Sequence, residues 1–243
     1  MKVLQIILIS LTTLSGCKKN EANPYVYTST DIVNPVKAMT TDSITYLALG
    51  DSYTIGQSVS QAESYPYQLT TALSGAGFKT RNPDIIAVTG WTTDELINAI
   101  ATSPFQTKQY SFVTLLIGVN DQYQGMSQAN YTIKFAQVLN TAISYAQGDP
   151  NRVFVLSIPD YGVTPFANGN DAVIGPQIDQ FNAINAAISA KAGVYYINIT
   201  AISRQAANDP LLIASDGLHP SGLMYTQWVS MLEPLVATQL NKK

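Results

Sequence analysis

The 243-residue chain can fill a substantial core, since 46% of its residues are hydrophobic and 12% charged, and that balance excludes a disordered polypeptide. A net charge of −3, with no Lys/Arg-rich stripe, excludes an electrostatic footprint for nucleic acid. One cysteine, Cys17, and one histidine, His219, exclude an internal disulfide framework and a zinc site built from several His and Cys.

The N-terminus reads as an address. Lys2 precedes the apolar run VLQIILISLTTL (3–14), which is shorter than the ~20 residues needed to span a bilayer and fits a secretory signal peptide. The run closes on LSGC (14–17), which resembles the bacterial lipobox. That resemblance implies a signal peptide over 1–16, cleavage before Cys17 and lipidation of the Cys17 thiol, with several acyl chains giving a stable membrane anchor. Residues 18–42 carry two prolines and no sustained apolar period, so 17–42 is expected to be a lipidated tether and 43–243 the folded domain. Lys18, rather than Asp, follows the cysteine. By resemblance to sorting rules in enteric bacteria this favours the outer membrane, and the CKKNE start resembles lipoproteins of the Bacteroidetes type.

Beyond the tether, five apolar, β-rich runs recur: ITYLALG (44–50), DIIAVTG (84–90), FVTLLIG (112–118), VFVLSIP (153–159) and VYYINIT (194–200). Most are near-continuously apolar, as in a sheet covered on both faces. Helical patterns lie between them. Thr92 with Glu95 forms a capping box. Ser127 opens a long helix with Ile133, Ala136, Leu139, Ile143 and Ala146 on one face, ended by Gly148 and Pro150. The segment 160–176 is rich in Gly, Pro and Asn and reads as a surface loop or a lid over substrate. Ile178, Phe181, Ile184 and Ile188 form another stripe, closed by Gly193. Met224, Trp228, Leu232 and Leu235 mark a final helix that Pro234 should kink or interrupt. Strands alternating with helices predict a parallel sheet with helices on both faces, whose ligands gather beyond the carboxyl ends of the strands.

Three of the runs end in glycine followed by polar residues: Gly50-Asp51-Ser52, Gly90-Trp91-Thr92 and Gly118-Val119-Asn120-Asp121. A fourth segment, SDGLHP (215–220), holds the only histidine, with Asp216 three residues before it. A serine hydroxyl needs an adjacent base. An imidazole, with an ordinary pKa of about 6.5, suits that task near neutrality, and a carboxylate can fix its tautomer. Backbone N–H groups and an Asn amide can stabilise a developing oxyanion. Ser52, His219, Asp216, Gly90 and Asn120 therefore form a complete set for acyl transfer, glycine at 90 allowing a close backbone approach.

Here the chain resembles the GDSL esterase/lipase family, the SGNH hydrolases. GDSYT (50–54), Gly90 in TGWTT, GVND (118–121) and DGLHP (216–220) stand in the family's order, and the resemblance spans about residues 44–235. It implies a three-layer α/β/α, flavodoxin-like fold with a doubly wound parallel five-stranded sheet, and no metal or other cofactor. Carried over by position, Ser52 is the nucleophile, His219 the base and Asp216 its orienting acid. The Ser52 and Gly90 amides and the Asn120 side chain make the oxyanion hole. Tyr53 stands where the family name requires leucine, and Thr54 where serine is common. The nucleophile is not in a G-x-S-x-G elbow, which disfavours the ordinary α/β-hydrolase fold.

Asp51 and Asp121 read as turn residues, and Asp160 in IPDYG is a rival carboxylate whose simplest role is also a turn. Tyr53, Trp91, Tyr123 and Tyr161 are candidate pocket walls; these and Tyr225 can equally be packing. The expected activity is hydrolysis of a small-molecule, lipid or glycan ester through an acyl-enzyme. An acyltransferase using the same residues, or a non-catalytic carbohydrate-binding or surface-structural lipoprotein on a hydrolase scaffold, are the alternatives.

Overall fold

The computed structural model describes residues 43–242. Cys17, the signal peptide and the tether lie outside the described residues. All five expected strands form: β1 (Tyr46–Gly50), β2 (Asp84–Ala87), β3 (Phe112–Leu116), β4 (Val153–Leu156) and β5 (Tyr195–Ile197). They make one sheet in the order β2-β1-β3-β4-β5, parallel throughout, with Leu49 opposite both Ile86 and Leu115 and with Leu156 opposite Ile197. The strands begin or end a few residues inside the apolar runs, because each run continues into a turn at the sheet's carboxyl edge.

Among the described residues eight α-helices accompany the sheet: α1 (Ser52–Ile55), α2 (Tyr65–Gly75), α3 (Thr93–Thr102), α4 (Val119–Tyr123), α5 (Gln128–Tyr145), α6 (Asp171–Ala192), α7 (Thr200–Ser203) and α8 (Gly222–Leu240). The packed pairs α2–α8, α3–α5 and α5–α6 divide the long helices between the two faces of the sheet, as right-handed crossovers require. The result is a three-layer α/β/α fold. β1, β3 and β4 are buried along their whole length, which explains their unbroken apolar sequence.

The caps form as expected. The Thr92 amide and hydroxyl both donate to Glu95, and Ser127 accepts from the Asn130 amide. The phase of α5 is different. Ile133 is 65% exposed, and the inward face is Tyr131, Phe135, Val138, Leu139, Ala142 and Tyr145. The aromatic rings bury more apolar area than Ile133 could, so they set the rotation of the helix. The 160–176 segment is not wholly a loop. Two 3-10 turns, Tyr161–Val163 and Pro165–Ala167, lead into α6 at Asp171, and Pro176 lies within that helix. Pro234 likewise sits inside an α8 that runs on to Leu240. Burial of Trp228, Leu232 and Val236 holds α8 together across the missing backbone bond.

Beneath α1 lies a buried hydroxyl network. Tyr46 and Tyr65 both meet the Thr114 hydroxyl, at 2.6 and 3.1 Å, and Thr54 meets Tyr65 at 3.5 Å. Gly50 closes β1 where no side chain fits: a β-carbon there would run into the Leu116 carbonyl and the Thr54 hydroxyl. The α1 turn is thereby seated directly on the sheet.

Candidate active site

In a sheet ordered 2-1-3-4-5 the topological switch point lies between β1 and β3, and the crevice opens beyond their carboxyl ends. Ser52 follows β1 and Asn120 follows β3, so the two flank that crevice. Asp51 caps α1, its Oδ1 accepting the Tyr53 amide at 3.0 Å. Ser52 is therefore the first helical residue, whose N–H an α-helix leaves without an intrahelical acceptor. Burial pushes the Asp51 carboxyl up to about 8, against the pull of the Tyr53 amide.

The two turns that carry the other candidate oxyanion donors are tied together by one acid. Asp121 is fully buried and accepts the Thr93 amide, at 3.1 and 3.0 Å, and the Thr93 hydroxyl, at 2.6 Å. It thus ties the start of α4 to the start of α3, and its expected structural role is what the geometry gives. Burial pushes its carboxyl up to about 6, against the hydrogen bonds from Thr93. The Asn120 side chain donates to the Trp91 carbonyl at 3.0 Å, which orients the amide and leaves its second N–H for the crevice. Gly90 has φ +85 and Gly118 φ +125, backbone that side-chain-bearing residues rarely adopt. Both turns therefore depend on glycine.

His219 and Asp216 sit in the loop before α8. The His219 Nδ1 meets Asp216 Oδ2 at 2.6 Å, while Asp216 Oδ1 accepts the amides of Leu218 and His219, each at 3.0 Å. Partial burial pushes the Asp216 carboxyl up. The hydrogen bonds from Ser58, the His219 ring and the two amides outweigh it and hold the carboxyl well below the usual carboxylate range. Asp216 is thus an ionised acceptor that selects the Nδ1–H tautomer and turns Nε2 outward.

Ser58 is a site residue that the sequence did not single out. Its hydroxyl donates to Asp216 Oδ2 at 2.6 Å and links the loop after α1 to the histidine loop. Nothing local marks it, because it is one serine among several in a polar loop. Its φ is +68, a backbone conformation that side-chain-bearing residues rarely adopt. Ser58→Ala is expected to lower kcat about tenfold with little change in KM, as read from steady-state kinetics, because one charge-assisted bond to the candidate orienting acid is lost.

Ser52, Gly90, Asn120 and His219 line one cavity of about 140 Å³. Ser52 is 4% exposed, and its hydroxyl and the His219 ring share the cavity wall without a closed hydrogen bond between them. Such bonds are often long in a ligand-free site and tighten when substrate is bound.

Tyr53, Tyr123 and Tyr161 line the cavity, as do Val119, Phe166 and Leu218, which the sequence reading passed over. Trp91 does not. The tight turn at Gly90, closed by the Trp91 amide on the Val88 carbonyl, feeds straight into α3 and carries the indole onto the core, leaving only its carbonyl to serve the site. Tyr225 is fully buried and donates to the Tyr53 carbonyl at 3.0 Å, so its role is packing. Asp160 is committed elsewhere, paired with Arg204 at 2.9 Å and accepting the Gly162 amide at 2.8 Å. Among the described residues no cluster of His, Cys, Asp and Glu suited to a metal ion occurs, and no helix is long and apolar enough to cross a membrane.

The solved structures most like this one include TesA (17% identity, 80% of this chain and 99% of that one, TM-score 0.64). Others are a family 3 carbohydrate esterase from Clostridium thermocellum (22%, 82% and 98%, 0.63) and an acetyl xylan esterase from Geobacillus stearothermophilus (15%, 79% and 94%, 0.62). At such identities the likeness is one of fold. No curated protein matches the sequence. Residues 48–227, which hold all four motifs, match the GDSL-like lipase/acylhydrolase family. The chain therefore belongs to that family, and it is a serine hydrolase of ester bonds.

Proposed function

We propose that the protein cleaves small carboxylic esters, acetylated glycans among them, through an acyl-enzyme on Ser52. His219 Nε2 takes the Ser52 proton as the hydroxyl attacks the ester carbonyl. The Ser52 and Gly90 amides and the Asn120 side chain receive the oxyanion. The tetrahedral intermediate collapses as His219 passes its proton to the departing alcohol. Water, deprotonated by the same imidazole, then releases the acid and restores Ser52. Asp216 stays ionised throughout and holds the ring. Every step is proton and acyl transfer among these residues, so the mechanism calls on no cofactor. The observation that carries this reading is the shared cavity, which brings together residues 167 positions apart in sequence, from Ser52 to His219.

The size of the cavity and its aromatic rim support a small acyl group with a larger leaving group. Tyr123 is 60% exposed and touches both Tyr161 and Phe166, with ring centroids 6.2 Å apart in each pair. Such a rim suits the apolar face of a sugar ring. The test is a panel of p-nitrophenyl esters, thioesters and acetylated glycans, run with wild type beside Ser52→Ala. Turnover of acetyl esters that vanishes in the variant is expected. No turnover on any of them contradicts the proposal. A dominant transfer product when alcohols or sugars compete with water shifts the assignment to acyltransfer.

The proposed setting is the cell envelope. A lipidated Cys17 at the head of a tether would hold the domain at the outer membrane, and Cys17→Ser is expected to move the protein from the detergent-extracted membrane fraction to the soluble one.

A further inference from the structure

Tyr53 occupies a place that the catalytic scheme does not use. It is 3% exposed, it stands beside the nucleophile, and its ring lies tilted against the His219 ring with centroids 5.5 Å apart. Its backbone is pinned from below by the Tyr225 hydroxyl. Tyr53, Tyr161 and Leu218 line the active-site cavity on one side. The same three residues line a second cavity of about 10 Å³ on the other, which reaches in to Ile213, Pro220 and Met224.

The inner cavity offers an apolar guest little polarity to desolvate. Of the polar side chains in its wall, Asp160 is taken by Arg204 and the Gly162 amide, the Thr164 hydroxyl by the Tyr161 carbonyl, and the Ser203 hydroxyl by the Thr200 carbonyl and the Asp160 amide. What remains, besides the Tyr53 and Tyr161 side chains, is Pro, Ile, Leu and Met surface, suited to a hydrocarbon tail. A volume of about 10 Å³ holds at most a water, so an acyl chain cannot use this space as it stands, and of the three residues shared with the outer cavity Tyr53 is the one next to the nucleophile.

We propose that Tyr53 is the specificity-determining residue for acyl length. As the partition between the two cavities, it confines the enzyme to acetyl-sized acyl groups and keeps the inner cavity closed to longer chains. The inference rests on the serine-esterase reading of the outer cavity. It concerns the acyl side only and leaves the leaving group free.

The test is kcat/KM for p-nitrophenyl acetate, butyrate, hexanoate and octanoate. Wild type is expected to lose at least tenfold between acetate and hexanoate. Tyr53→Leu, which restores the residue usual for the family, should raise the hexanoate-to-acetate ratio at least tenfold. Met224→Ala alone should leave that ratio within twofold, since it enlarges a space still walled off. In the Tyr53→Leu background it should carry the gain on to octanoate. Hexanoate turned over by wild type as well as acetate overturns the proposal, whatever the variants do. So does a Tyr53→Leu enzyme that cleaves acetate with an unchanged ratio, or a Met224→Ala single variant that lengthens the profile as far as Tyr53→Leu. Failure of wild type to cleave acetate at all is a different result, which removes the esterase reading and this one with it.

Discussion

Ser52→Ala is expected to lower kcat on an acetyl ester by about 10⁴-fold or more, with KM changed by less than a few-fold. The hydroxyl is the atom that becomes acylated, and no neighbouring group can replace it: Thr54 is fully buried and committed to the Tyr65 hydroxyl network. The scaffold should survive, because Asp51 caps α1 through the Tyr53 amide and not through Ser52. His219→Ala should cost a similar amount. The double variant should be little worse than either single one, since nucleophile and base act as one unit. Additive losses in the double variant would mean that the two side chains do not share a step.

The second large effect separates the two carboxylates. Asp216→Asn is expected to cut kcat by about 10³- to 10⁴-fold, because an amide at this place no longer enforces the Nδ1–H tautomer or stabilises the imidazolium. Asp160→Asn should leave kcat near wild type and lower stability by about 2 kcal/mol, because it strips a buried carboxylate from an Arg204 that is itself partly exposed. Turnover that disappears in Asp160→Asn and persists in Asp216→Asn reverses the assignment.

The pH dependence follows from the same contacts. The folded chain holds the Asp216 carboxyl below its unfolded value near 4, so its stabilisation is present above that value and is lost as pH falls through the folded one. Across the working range Asp216 stays charged, so its hold on the His219 ring does not change with pH there.

The site was more legible in the sequence than the layers around it. Glycines ending three apolar runs, followed by Ser52, Trp91 and Asn120, mark turns at the carboxyl edge of a parallel sheet, and a lone His219 three residues after Asp216 admits few other readings. Those signals are local, and the sheet order 2-1-3-4-5 does the rest. What stayed hidden depends on tertiary competition. Ile133 fits a helical stripe, yet Tyr131 and Phe135 win the core. The helix at Tyr65–Gly75 starts with Pro66 in its first turn, where proline is tolerated but reads as a breaker. Trp91 departs from its sequence reading, and Ser58 has none, because side-chain direction decides both and no spacing rule contains it.

The central claim is that Ser52 is the nucleophile and His219 its activating base. A fluorophosphonate probe followed by intact-mass and peptide mapping tests it directly. One adduct is expected, on Ser52. It should be lost in Ser52→Ala and slowed by several orders of magnitude in His219→Ala, with both variants folded by circular dichroism. An enzyme that cleaves acetyl esters while the probe labels another residue, or labels Ser52 at the same rate without His219, would contradict the account.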